Sequence, residues 1–63
     1  MNIGMIGLGK LGMDAAEVFA TKNTVYGYDI YPRKSDTVNV CSTVEGCVNK
    51  SDWIFIAVET PHS

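Results

Sequence analysis

Nothing in this chain is long enough and apolar enough to span a bilayer. The longest apolar run, "WIFIAV" at 53–58, has six residues where a spanning helix needs about twenty. There is no run of like charge either. Five Lys and Arg stand against seven Asp and Glu, a formal net charge of −2, which leaves no basic footprint for nucleic acid or an anionic membrane. The opening "MNIGMIGLG" has neither the basic start nor the long apolar core of a secretory signal, so the expected location is cytoplasmic. Cysteine is scarce. Cys41 and Cys47 form neither a CxxC nor a zinc-ligand pattern, and both are expected to be reduced, small, buried hydrophobes. The single histidine, His62, has no paired acid and reads as a loop residue, while Asp52 and Glu59, seven apart, would point to opposite faces of a strand. No catalytic pair and no metal set is expected.

What is present is apolar residue, 46% of the 63 positions, enough for one small packed domain. A chain this short buries only roughly 60% of the surface its unfolded form exposes, so marginal stability is expected. Asn2 to Ile6 reads as a strand buried on both faces. Leu11, Ala15, Val18 and Phe19 recur at helical offsets and predict an apolar stripe on a helix over 10–22, with Asp14 and Glu17 on its polar side. "TVYGY" (24–28) predicts a second strand, Pro32 a turn, and "TVNVC" (37–41) a short third strand. "STVE" (42–45) carries the capping-box pattern of a second helix whose buried face would be Val44, Cys47 and Val48, and 53–58 predicts a fourth strand. This order implies an α/β fold: a partial Rossmann fold with a four-stranded parallel sheet in the order 3-2-1-4 and two helices. Such sheets normally continue to five or six strands, so 1–63 is expected to be an incomplete dinucleotide-binding domain, an N-terminal fragment. The fourth strand would then be an apolar edge, and self-association to a homo-oligomer is expected.

"IGLGKLG" (6–12) holds glycines at 7, 9 and 12. A lone G-x-G-x-x-G says little, but here it follows a predicted strand, opens a predicted helix, and is followed 22 positions after Gly7 by Asp29. Gly7 would permit the tight turn, Gly9 the approach of a pyrophosphate, and Gly12 close helix–sheet packing. The amides near Lys10 and Leu11, with the positive end of the helix dipole, would face the pyrophosphate; the Lys10 side chain either assists or is solvated. Asp29 would accept from the adenosine ribose hydroxyls and repel a 2′-phosphate, favouring NAD over NADP. Arg33 and Lys34 leave NADP open, since a basic side chain there can accommodate that phosphate.

With "IGMIGLGKLG", "VYGYDIYPRK" and "IFIAVETP" taken together, the chain resembles the N-terminal domain of the UDP-glucose/GDP-mannose dehydrogenase family, itself similar to the 6-phosphogluconate and 3-hydroxyisobutyrate dehydrogenases. The resemblance implies an NAD-dependent enzyme that oxidises the C6 alcohol of a nucleotide sugar to a carboxylate, with its catalytic residues downstream of Ser63. By that resemblance Asp29 and Lys34 hold the adenosine ribose and Val58 and Thr60 pass the middle of the cofactor; Ile30 is also expected to be a cofactor-binding residue. Two departures stand out: Glu59 replaces the family's proline, and the segment between Lys34 and the third strand is short, as in the hydroxyacid dehydrogenases. The alternatives are therefore a hydroxyacid-type dehydrogenase or a stand-alone nucleotide-binding module without chemistry.

Overall fold

The computed structural model describes residues 1–58. Its elements run β1 (Asn2–Ile6), α1 (Lys10–Phe19), β2 (Thr24–Tyr28), β3 (Asn39–Val40), α2 (Val44–Asn49) and β4 (Trp53–Ile56). The four strands form one parallel sheet in the order β3-β2-β1-β4, the α/β architecture the sequence predicts. Among the described residues no helix is long and apolar enough to cross a membrane.

The centre of the sheet is β1, whose Ile3, Gly4 and Met5 are all buried because helices lie on both of its faces. Ile3 and Met5 join Leu8, Ala16, Val25 and Val38 in the main core on the α1 side. Gly4 faces the other way, where a Cβ would press on Ser51 and Ile54, next to α2. Stacking of Phe19 on Phe55, with ring centroids 5.1 Å apart, extends the core toward β4.

The helix α1 is shorter than the predicted span, and of the predicted stripe Ala15 and Phe19 pack against the core while Leu11 and Val18 do not. It ends at Phe19, with Ala20 as its cap, and buries Gly12 and Ala16, whereas Leu11 and Val18 are 71% and 67% exposed. Close approach decides its rotation. A Cβ on Gly12 would overlap the Gly7 carbonyl, so the helix must turn its smallest residues to the sheet and leave Leu11 outside.

Three smaller expectations also shift. The third strand keeps only two of its five predicted residues, because pairing with β2 is confined to Tyr26↔Asn39 and Gly27↔Val40. Cys47 is buried on α2 as expected, but Val44 and Val48 are 37% and 43% exposed, because with β3 so short the helix packs mainly on β1 and β2. The cap of α2 is Thr43 and not Ser42: Thr43 Oγ1 accepts from the Gly46 N–H at 3.0 Å, which displaces the predicted box by one residue. Thr43→Ala is therefore expected to cost about 1 kcal/mol of stability in a denaturant titration, while Ser42→Ala should stay within about 0.5 kcal/mol.

The strand β4 ends at Ile56 instead of Val58 and forms an open edge. Trp53, Ile54, Phe55 and Ile56 are all exposed.

Candidate functional site

Register places the site. With Ile6 opposite both Tyr28 and Ile56, the three strands end at one level, and the next residues, Gly7, Asp29 and Ala57, stand side by side. Two further backbone bonds extend the ladders there, from Gly7 N–H to Tyr28 O at 2.7 Å and from Ala57 N–H to Ile6 O at 2.8 Å. This carboxyl edge is also where the strand order reverses between β1 and β4. In open parallel sheets that crevice is the ligand site.

The three glycines have different reasons to be there. Gly7 sits at φ +101°, a conformation that side chains disfavour, and a Cβ on it would run into the Ala57 carbonyl. Gly12 is needed for the helix–sheet contact described above. Gly9 is extended, at φ −64° and ψ −174°, and among the described residues nothing lies within 4 Å of a Cβ built on it. The described residues therefore account for Gly7 and Gly12 but give Gly9 no packing reason.

Gly9 is also the N-cap of α1, and no side chain caps that end. The first intrahelical bond runs from Met13 N–H to Gly9 O at 2.8 Å, so the amides of Lys10, Leu11 and Gly12 precede it with no partner in the helix. The first turn holds no acidic residue. An anion at Gly9 would meet donors that have no partner among the described residues, and the positive end of the dipole.

Across the turn stands Asp29, whose side chain is only 9% exposed. Its Oδ2 accepts from the Leu8 N–H at 2.6 Å, and its Oδ1 accepts from the Tyr31 N–H at 2.8 Å. The Arg33 Nε lies 3.7 Å from Oδ2, close enough for an ion pair but too long for a hydrogen bond, and it has no other partner among the described residues. Asp29 thus pins the glycine turn to the end of β2. An ionised carboxylate offers about four acceptor positions; the two amides take two, so even with Arg33 beside Oδ2 at least one remains for a ligand hydroxyl.

The Tyr31 amide, more than any other neighbour, holds the Asp29 carboxyl below its ordinary value of 3.8; desolvation opposes this, while Leu8 and Arg33 add to it. A depressed folded-state pKa stabilises the fold above the unfolded value, and that contribution disappears as pH falls through the folded value. Acid unfolding followed by circular dichroism should accordingly show a loss of stability below about pH 4 that Asp29→Asn reduces.

Two hollows adjoin Asp29. The first, of about 450 Å³, is lined by the glycine turn (Gly7, Gly9), the end of β2 with its turn (Tyr28, Asp29, Ile30, Tyr31, Arg33) and the strand ends Ile6, Ile56, Ala57 and Val58. The second, of about 420 Å³, lies between the ends of β2 and β3 and includes Val40, Cys41 and Ser42.

Of the residues singled out in the sequence, Gly7, Gly9, Asp29, Ile30 and Val58 line the first hollow together. Lys10 and Leu11 follow Gly9 in the first turn of α1 with exposed side chains and are not among the lining residues, nor is Gly12, which is buried. Lys34 is exposed and lines neither hollow, because the turn at Pro32 directs Arg33 back to Asp29 instead. Thr60, like Glu59 and His62, lies outside the described residues. Asp52 has a structural partner, accepting from the Asn2 N–H at 3.0 Å. Sequence reasoning missed the apolar walls Ile6, Tyr28, Ile56 and Ala57, which the strand register would have located. It also misjudged Cys41, which is partly exposed because β3 ends before it. Among the described residues no group of three or more metal-ligating side chains comes together.

Compared with family models, curated proteins and solved structures, the chain finds no match. The functional reading therefore rests on the site itself and on the motifs.

Proposed function

We propose that this chain binds NAD as the nucleotide-binding portion of a dehydrogenase. The observation that carries the reading is Gly9: a glycine with no packing role among the described residues, at an uncapped helix start, in one hollow with a mostly buried carboxylate that keeps at least one acceptor position. The hollow suits an adenosine diphosphate moiety, with the diphosphate over the amides of Gly9 to Leu11, a ribose hydroxyl donating to Asp29, and Ile30 and Val58 as apolar walls. Bound NAD supplies a hydride acceptor; the residues here bind and orient it.

Nucleotide-sugar 6-dehydrogenation, the conversion of a sugar C6 alcohol to a carboxylate, is the activity favoured by the resemblance of "VYGYDIYPRK" and "IFIAVETP". A second reading, a hydroxyacid-type dehydrogenase, is favoured by the short connection between Asp29 and β3 and by Arg33 in the hollow.

Calorimetric titration with NAD, NADP and AMP tests the common core of both readings. NAD should bind at least about tenfold more tightly than NADP, because a 2′-phosphate beside the Asp29 carboxylate costs more than about 1.4 kcal/mol. AMP should retain part of the affinity. Absence of binding by all three nucleotides would overturn the proposal, and tighter NADP binding would transfer the ribose contact from Asp29 to Arg33.

A further inference from the structure

The two cysteines have no part in the nucleotide reading, and the fold brings them together. Gly27 turns its Cβ direction toward Leu8 and Val38 on the α1 side of the sheet. Val40, its partner in β3, shares that side, so alternation sends the next residue, Cys41, to the opposite face. That is the face covered by α2, which carries Cys47. Both residues are anchored to neighbouring carbonyls of β2: the Cys41 N–H donates to Gly27 O at 2.7 Å, and the Cys47 thiol donates to Tyr26 O at 3.4 Å. The Cys41 thiol donates to Asn39 O at 3.8 Å, the β3 residue paired with Tyr26, so both thiols sit beside the Tyr26–Asn39 pair. Only five residues separate them, and they include the Thr43 cap that fixes the start of α2.

We propose that Cys41 and Cys47 are a thiol-oxidation site that closes reversibly to an intrachain disulfide, with a small disulfide such as oxidised glutathione as oxidant. Their accessibilities set the order of events. Cys41 is partly exposed and reacts first, while Cys47 is fully buried, and burial pushes its thiol above the ordinary value. The Cys41 thiolate attacks one sulfur of the oxidant, forming a mixed disulfide and releasing one glutathione thiolate. Cys47 then loses its proton and attacks the Cys41 sulfur, forming the intrachain bond and releasing the second glutathione thiolate. The two electrons lost by the cysteines reduce one oxidised glutathione to two thiols. Their placement beside one strand pair, with five residues between them, compensates for the reluctance of Cys47 to ionise.

The test is mass spectrometry of the folded chain after exposure to oxidised glutathione, with single variants in parallel. The parent chain should lose about 2 Da as both free thiols disappear, and dithiothreitol should reverse this. Cys47→Ser should instead hold one glutathione at Cys41, a gain of about 305 Da, and Cys41→Ser should remain unmodified while folded. The oxidised chain should stay monomeric on a non-reducing gel and unfold at a higher denaturant concentration than the reduced one. A lasting glutathione adduct on the parent chain, crosslinking only between chains, no reaction, or a lowered unfolding midpoint would each overturn the proposal. None of these readouts involves a nucleotide, so the result stands apart from the fate of the NAD reading.

Discussion

Gly12→Ala is expected to unfold the chain, while Gly9→Ala leaves it folded and removes nucleotide binding. A methyl group at position 12 would overlap the Gly7 carbonyl, which is backbone and part of the central turn, and would press on the Ala57 side chain. Relief requires α1 to move off the sheet, opening the core around Ala16 and Leu8. Overpacking of this kind typically costs about 1–3 kcal/mol and more where backbone must shift. A chain of this length has roughly 3–9 kcal/mol of stability in all, so thermal unfolding should already be under way at room temperature. At Gly9 the methyl meets nothing among the described residues and has an allowed φ, and the cost is only that of a poorer cap, up to about 1 kcal/mol. It would, however, occupy the space a diphosphate needs, and NAD affinity should fall by at least about tenfold. Circular dichroism and calorimetry on both variants separate the two glycines: fold lost at 12, ligand lost at 9.

The second large effect is expected at Asp29. Asp29→Ala removes the acceptor for the Leu8 and Tyr31 amides and leaves the Arg33 guanidinium without its ion-pair partner. Hydrogen bonds to a charged group are worth about 1.5–3 kcal/mol each, and with partial rescue by water the net loss should be about 2–4 kcal/mol. NAD affinity should fall by more than about tenfold, partly through the missing ribose contact and partly because the glycine turn is no longer held against β2. Asp29→Asn separates the two roles. Its amide oxygen can still accept from Leu8, so more of the fold survives, but the charge that repels a 2′-phosphate is gone. Discrimination between NAD and NADP should narrow in Asp29→Asn, with Arg33 supplying attraction for NADP. If Asp29→Ala bound NAD as the parent does, Asp29 would be a fastener of the turn and nothing more.

The parallel sheet and its strand order were legible because β1 and β2 are short apolar segments bounded by glycine and turn residues, with a helix between them. The glycine spacing located the turn, and Asp29 fell opposite it as expected. The rotation of α1 was not legible. Hydrophobicity favoured Leu11 and Val18, while the contact is decided by which residues are small enough to let the helix meet the Gly7 carbonyl. The choice between Arg33 and Lys34 was equally hidden, because adjacent residues after a proline point in different directions and spacing alone does not say which one returns to the carboxylate. The walls formed by Tyr28 and Ile56 depend on register, which sets three strands to end at one level. The proximity of Cys41 to Cys47 depends on both register and the face on which α2 lies.

Mapping backbone amide shifts by NMR as NAD is added tests the central claim most directly, since it reports on the amides said to hold the diphosphate. Saturable changes should concentrate at Gly9, Lys10 and Leu11, with a second group at Asp29 and Ile30 and little change at Cys47 or Trp53. Binding that shifts other residues and leaves Gly9 to Leu11 unmoved, or no change at any amide up to millimolar NAD, would contradict the account.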